Sequence, residues 1–392
     1  MKKDETSEKK QLSERRRVTL VCSLTACVFC AVIFGVLILS IIIPDREKSE
    51  SENRMLKTFP SFSLSAVADG SFMKNFETYL SDQFPFRDKL IEAKSDFERL
   101  LGKTNENGVY IGKDGFLFEA PTKPDDEKIK ELTEAVTAFS RKNKKLKKAF
   151  ILSPNSTDLL SEKFPEALRL ESRDEAFKKI RDGLSGVTWV DCKAAFEKQK
   201  DKSALFYKTD HHWTTRAAFL AFSSLSSEWE LGAKKSNFEF FTVSNSFEGT
   251  LSSTAAVRDS ADKIEICVPK KQAGKYTVFY ESSGKKTSTL FENEKLNQKN
   301  QYELFLGGNY DKVIISTTAD TTASLLLFKD SYANCLIPML TPYFSKIVVV
   351  DPRYFSDSLE AVMGETQFSH ILFVYNMNTF LGDSSLAATL SS

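Results

Sequence analysis

The chain has 392 residues, 41% of them hydrophobic, with 32 Phe but only three His. That apolar mass suits two to three domains, or one domain with an insertion. The net charge of +1 lacks the basic excess of a nucleic-acid binder. Of the six Cys, only Cys27 and Cys30 stand at CxxC spacing, inside an apolar run, and the rest are scattered, which argues against structural zinc and against a disulfide framework. Neither a cofactor nor a metal is expected.

Residues 1–17 are polar, end in Arg15-Arg16-Arg17, and read as a cytoplasmic tail. Residues 18–43 then run for 26 positions without a charge. A bilayer-crossing helix needs ~20 residues, and a signal-peptide core only about 7–15. Leu24-Thr25-Ala26-Cys27 looks like a lipoprotein cleavage box, but the apolar run continues past Cys27. The segment reads as an uncleaved transmembrane anchor. The preceding arginines keep the N-terminus in the cytoplasm and place the rest outside the cell membrane.

Residues 44–70 form a tether, whose charged stretch 45–57 is expected to lift the following domain off the membrane. Residues 71–235 make the first part of an α/β domain. It opens with two amphipathic helices over 72–80 and 89–101, read as packing helices, with Arg87 and Asp88 as a structural ion pair. Tyr110-Ile111-Gly112-Lys113-Asp114-Gly115-Phe116 predicts a hairpin. Helices over 126–145, 175–184 and 214–231 alternate with strands over 148–153 and 187–191, the pattern of a mainly parallel sheet. The basic run 141–148 is read as a solvated helix end. Residues 236–317 offer only short β-type runs and predict an antiparallel, β-rich insertion. The alternation returns over 318–392, with strands at 323–328, 346–350 and 370–375 around a helix at 335–343.

Two of the three histidines lie in Tyr207-Lys208-Thr209-Asp210-His211-His212-Trp213. Histidine is the usual general base near neutral pH. Asp210, two residues before His212, can fix its tautomer as a triad acid does. In an extended turn Asp210 and His212 share a face and His211 points away. His370 opens an apolar strand and reads as a packed residue. Ser331 stands where a strand turns into a helix, where strand ends open onto a crevice and free N–H groups face a developing oxyanion. A plain helix cap at Asp330 or Ser331 is the structural alternative. A metal site at Asp210, His211 and His212 is disfavoured, because adjacent histidines diverge in an extended chain.

Asp210-His211-His212-Trp213 resembles the signature of the bacterial DHHW family of extracytoplasmic proteins. The resemblance extends through Glu52-Asn53-Arg54, Phe84-Pro85-Phe86-Arg87-Asp88, Ile111-Gly112-Lys113-Asp114-Gly115-Phe116-Leu117, Phe305-Leu306-Gly307-Gly308-Asn309, Lys329-Asp330-Ser331-Tyr332-Ala333-Asn334 and Asp351-Pro352-Arg353-Tyr354. That family is similar to the SGNH-like proteins that O-acetylate alginate. The resemblance implies an SGNH-like three-layer α/β/α fold with a mainly parallel sheet, Ser331 as nucleophile, and His212 and Asp210 as its base pair. His211 stands where the relatives carry Thr or another small residue. The Gly and Asn blocks of an SGNH oxyanion hole are not evident. The Ser331 N–H is the first choice of donor, and Asn155, Gly308, Asn309, Asn376, His211 and Trp213 are further oxyanion or substrate-binding candidates. The implied function is O-acetyl transfer to a cell-surface polysaccharide, with the acyl group brought by a membrane-bound exporting partner. The alternatives are a carbohydrate esterase with the same triad, or an inactive polysaccharide-binding scaffold.

Overall fold

The computed structural model describes residues 2–49, 51–52, 54–165, 170–270 and 276–392, with the backbone alone for 2–12. Asn53 and residues 271–275 lie outside the described residues. The chain divides into two compact units, Met1–Lys94 and Ser95–Ser392.

The first unit begins with α1 (Lys2–Ile42), a single helix. Its stretch Ser13–Ile42, which holds a window of mean hydropathy 2.8, is long and apolar enough to cross a membrane. A short antiparallel pair, β1 (Lys48–Ser49) with β2 (Arg54–Met55), is followed by α2 (Leu64–Ala68), α3 (Ser71–Asp82) and α4 (Arg87–Leu100). Two expectations need correction here. Residues 45–57 are no free tether, because charged and amide groups hold them to α3 and α4. Arg54 pairs with buried Asp82 at 2.6 Å and Arg46 with Asp88 at 2.9 Å, while Arg87 reaches Glu52 and also lies 4.0 Å from Asp88, the expected ion pair. Nor do α3 and α4 pack by their apolar faces: over residues 57–94 the only buried side chains are Asp82 and Pro85.

The second unit opens with the predicted hairpin, a small sheet of β3 (Asn105–Glu106), β4 (Val109–Ile111) and β5 (Leu117–Glu119). Asp114 and Gly115 make its turn in the left-handed region. Then follow α5 (Asp126–Lys142), β6 (Lys147–Ser153), α6 (Ser156–Leu159), α7 (Asp174–Gly183), β7 (Thr188–Val190), α8 (Cys192–Glu197) and α9 (Thr215–Glu228). Next come β8 (Phe238–Phe247), α10 (Thr250–Ala255), β9 (Asp262–Pro269), β10 (Tyr276–Tyr280), β11 (Lys285–Thr287) and β12 (Lys312–Thr317). The chain closes with β13 (Ser324–Lys329), α11 (Ile337–Leu340), β14 (Lys346–Val350), α12 (Leu359–Glu365), β15 (His370–Asn376), α13 (Met377–Gly382) and α14 (Leu386–Ser391).

The central sheet runs β11-β10-β12-β14-β13-β15-β6-β7. Its five strands from β14 to β7 are parallel, and the other three are antiparallel. Side chains alternate across β13, and each face gains its own core. Leu325 and Leu327 join Trp213, Ala218 and Phe222 on one side. Leu326 and Phe328 join Leu132, Val136 and Ile180 on the other. The result is the expected three-layer, SGNH-like α/β arrangement. Residues 236–317, however, do not form one separate β unit. Among the described residues of this span, β8 and β9 form the one pair of strands apart from the central sheet. The strands from β10 to β12 extend the main sheet at its β14 edge; of the predicted run 303–306, Glu303 and Leu304 close a 3-10 turn and Phe305 makes an isolated bridge to Phe291.

Behind the carboxyl ends of the strands, Arg173 is buried against Asp158 at 2.7 Å, and donates to Asn155 at 3.2 Å and Asn378 at 2.6 Å. Removing one partner of a buried ion pair leaves an uncompensated charge. Asp158→Ala is therefore expected to cost about 3–5 kcal/mol in a denaturant titration, with part recovered in the double variant Asp158→Leu/Arg173→Met.

Candidate active site

Three neighbouring parallel strands end together: β13 at Asp330-Ser331, β15 at Asn376 and β6 just before Asn155. Asp330 fixes the first of these ends. Its Oδ1 accepts from the Tyr332 N–H at 2.8 Å, which caps the 3-10 turn Ser331–Cys335. Its Oδ2 accepts from Asn376 N at 2.7 Å and Nδ2 at 2.6 Å. Burial pushes the Asp330 carboxyl up, to about 6, against the pull of these hydrogen bonds. Ser331 is thereby held at the mouth of the sheet. Its own N–H, the first of the turn, has no hydrogen-bond partner among the described residues.

The Asp-His-His-Trp stretch is a closed bend rather than an extended strand. Tyr207 N donates to His212 O at 3.3 Å, and Phe206 bridges to Trp213. Trp213 is fully buried, and its Nε1 donates to Tyr332 O at 2.8 Å. That bond joins the bend directly to the turn bearing Ser331, so Trp213 supports the site from beneath instead of facing a substrate.

Asp210, His212 and Ser331 form one hydrogen-bonded line. Asp210 Oδ1 lies 2.5 Å from His212 Nδ1, and His212 Nε2 lies 2.7 Å from Ser331 Oγ. A carboxylate only accepts, so the proton sits on Nδ1 and leaves Nε2 to receive the Ser331 hydroxyl. Burial opposes charge on Asp210, but His211, His212 and the Thr250 N–H outweigh it and hold the carboxyl far below its usual range. Burial also pushes His212 down, with His211 adding to it, and the opposing pull of Asp210 leaves it at about 4.

The second oxygen of Asp210 is held from a segment that sequence reasoning did not single out. Thr250, opening α10 between β8 and β9, donates its N–H at 2.9 Å and its hydroxyl at 3.0 Å to Asp210 Oδ2. Gly249 brings this backbone in. A Cβ there would stand 2.3 Å from Asp210 Cβ and 2.7 Å from its Cα. Asp262, on β9, steadies the approach by accepting from Lys208 N and Thr209 N at 2.9 and 2.8 Å. Tyr302 was likewise not foreseen. Its ring stacks on His212 with centroids 3.7 Å apart and planes within 13°.

His211 does not point away as an extended turn would require. Its ring lies 4.0 Å from that of His212, because the bend is tight and Thr250 Oγ holds His211 Nδ1 at 2.9 Å. His370 packs against Trp229 and Phe344, far along the sheet at the opposite end of β15. Asn155 and Asn376 are bound into the support network. The Asn155 amide donates to Tyr332 Oη at 3.3 Å and Asn376 Oδ1 at 3.1 Å. The Asn376 amide donates to Asp330 and to Thr379. Both amide hydrogens of each are thus engaged, which removes the two from the oxyanion candidates. Gly308 and Asn309 sit against the Ser331 turn: Asn334 donates to Gly308 O at 3.3 Å, and Lys329 to Asn309 Oδ1 at 2.9 Å. Asp210, His211 and His212 each offer a ligand atom within 4.8 Å of the others. An ion bound there would have to break the His212 contact to Asp210 or to Ser331.

The close approach at Gly249 is open to test. Gly249→Ala forces Asp210 aside, and a displacement near 1 Å costs on the order of 10²-fold in rate. The expected outcome is that loss in turnover of an activated ester, with the folded content unchanged by circular dichroism.

Residues 109–299 match a family model described as the SGNH hydrolase-like domain of the acetyltransferase AlgX, a match that ends before Ser331. A curated relative, the probable alginate O-acetylase AlgJ of Pseudomonas aeruginosa, is 24% identical over 173 residues, covering 42% of this chain and 44% of AlgJ. The chain thus spans under half the length of that relative. Among solved structures, a DHHW family protein from Eubacterium siraeum superposes with a TM-score of 0.62 at 21% identity, covering 73% of this chain and 96% of that one. Bacillus cereus PatB1, solved with a sulfonyl adduct, gives 0.60 at 19% identity over 72% and 97%. Likeness at this identity speaks for the fold. The chain therefore has an SGNH-hydrolase-like fold, and it is similar in sequence to the AlgX domain over residues 109–299 and to AlgJ over 173 residues.

Proposed function

We propose that this chain is a membrane-anchored O-acyltransferase that moves an acetyl group onto a hydroxyl of a cell-surface polysaccharide. The observation that carries the reading is the unbroken line from Asp210 through His212 to Ser331, at 2.5 and 2.7 Å. Ser331 Oγ attacks the carbonyl carbon of an acyl donor while His212 Nε2 takes its proton. Asp210 keeps the Nδ1 tautomer and stabilises the imidazolium. The free Ser331 N–H faces the developing oxyanion. The donor's leaving group departs with the proton from His212, giving acetyl-Ser331. A sugar hydroxyl then adds to that ester, His212 takes its proton and returns it to Ser331 Oγ, and the acetylated glycan leaves. Water in place of the sugar gives hydrolysis with the same residues.

The AlgJ relative and the AlgX domain support the acetyl group and the polysaccharide acceptor. The apolar stretch Ser13–Ile42 supports the anchor. Arg15-Arg16-Arg17, at the N-terminal end of that stretch, favours a cytoplasmic N-terminus with Ser331 outside. An acyl donor on that side calls for a membrane-bound partner that exports acyl groups.

The first test is intact mass after incubating the full chain in detergent with an activated acetyl ester, and separately with a sulfonyl fluoride. One adduct is expected with each reagent, absent in Ser331→Ala and in His212→Ala. A folded protein that gives neither adduct would overturn the reading in favour of a scaffold. Added glycans that collect the label would separate transfer from hydrolysis.

The pH dependence follows from His212. The base must be neutral to accept a proton, so the rate is present above its pKa and lost as pH falls through it. Burial and His211 depress that pKa to about 4, against about 6.5 for a free imidazole. The acid limb of kcat/KM for ester turnover is therefore expected near pH ~4, with a plateau already reached by about pH 6. A limb near 6.5 would contradict the buried environment described for His212.

A further inference from the structure

We propose that α3 lies in the membrane–water interface, with the face formed by Phe72, Met73, Phe76 and Leu80 seated among phospholipid headgroups and upper acyl chains. The inference rests on α1 crossing the membrane.

The first observation is an apolar surface without a partner. Phe72, Phe76 and Leu80 recur at four-residue spacing and share one side of the helix with Met73, while Lys74, Glu77 and Thr78 lie elsewhere on it. Met73 is 60% exposed and Leu80 48%, and Asp82 is the only residue of α3 that is buried. The rings pair with one another, Phe59 with Phe76 at 5.8 Å and Phe62 with Phe72 at 5.7 Å, yet Phe59 and Phe62 stay open on their outer side. Such a concentration of exposed aromatic and aliphatic groups marks an interaction surface.

The second observation says what covers it. The C-terminal end of α3 is fastened to the residues that follow α1. Tyr79 donates its hydroxyl to Asp45 at 3.1 Å. Gln83 accepts from Arg46 N at 3.0 Å and donates to Arg46 O at 2.9 Å. The ion pair of Arg46 with Asp88 adds the start of α4 to the same anchor point. Since α1 ends at Ile42, Asp45 stands only three positions beyond the helix, a reach of at most about 11 Å. The polar zone of a bilayer is roughly 5–8 Å deep on each side. With α1 across the membrane, α3 has no length of chain by which to leave that zone. An amphipathic helix held there lies with its apolar face among the lipids. Lys74 on α3 is matched by Glu77, so the seat depends on apolar area and needs no anionic lipid.

The test uses the full chain reconstituted in phosphatidylcholine nanodiscs. A benzophenone amino acid replaces Met73 or Leu80 on the apolar face, Glu77 on the polar face, or Leu37 within α1, and irradiation is followed by intact mass. The expected result is a one-phospholipid adduct at Leu37, Met73 and Leu80, with at least roughly tenfold less at Glu77. A lipid adduct at Leu37 but none at Met73 and Leu80, or crosslinking of those two to a second copy of the chain, overturns the interfacial seat and leaves the membrane span standing. No adduct at Leu37 removes the span itself, and the inference with it.

Discussion

A carboxylate that stays ionised where no water reaches it is the constraint on which this site depends. Asp210 is buried, and moving an unpaired charge out of water would simply protonate it. Four donors prevent that: His212 N, His212 Nδ1, Thr250 N and Thr250 Oγ. Two come from its own bend and two from α10, on the segment between β8 and β9. The β8–β9 pair, which lies outside the central sheet, therefore has a definite task. It presents a backbone N–H and a hydroxyl to Asp210, and it can do so only because position 249 has no side chain.

Ser331 is placed by a separate network with the same logic. Asp330 ties the end of β13 to the end of β15, and Asn376 passes the connection to Asn155 at the end of β6. Asn155 in turn accepts from Arg173, which closes on Asp158. Each member is buried and each is hydrogen-bonded, which is the condition under which a polar network rigidifies a core instead of weakening it. Trp213 and Tyr332 join the two networks: the indole N–H meets Tyr332 O, and the Tyr332 hydroxyl meets His211 O. The distance from His212 Nε2 to Ser331 Oγ is thus set by packing on both sides.

How far this was legible in the sequence follows from where each signal lies. The alternation of Leu325, Leu326, Leu327 and Phe328 is a local pattern, and it marks a strand buried on both faces wherever it is read. Asp210, His212 and Ser331 were findable because rare chemistry stood at a bend and at a strand end. Partner choice is not local. The pattern of β10 to β12 is the same whether those strands form their own sheet or extend another, and only β14, far along the chain, decides it. Thr250 and Gly249 are ordinary residues that matter through contact across 40 positions, and Tyr302 sits in a 3-10 turn without periodicity. The direction of His211 was misjudged for a related reason: an extended geometry was assumed where the Tyr207 N–H to His212 O bond makes a closed loop.

In the proposed reaction His212, at about 4, is a weak proton acceptor, and its surroundings bear on how the site could use one. Burial depresses His212 first, and electrostatic interaction with His211 and Arg353 depresses it further. Weak basicity lowers the drive to take the serine proton, but it keeps the imidazole neutral across the neutral range, so every molecule is competent. When the proton does arrive, the imidazolium must be held for the lifetime of the tetrahedral state. Asp210 does this without taking the proton, because its own carboxyl is held far below His212 in pKa. The stacked ring of Tyr302 restricts the imidazole to one plane meanwhile. In the proposed reaction, the low Asp210 carboxyl leaves the proton on His212 until it passes to Ser331 Oγ.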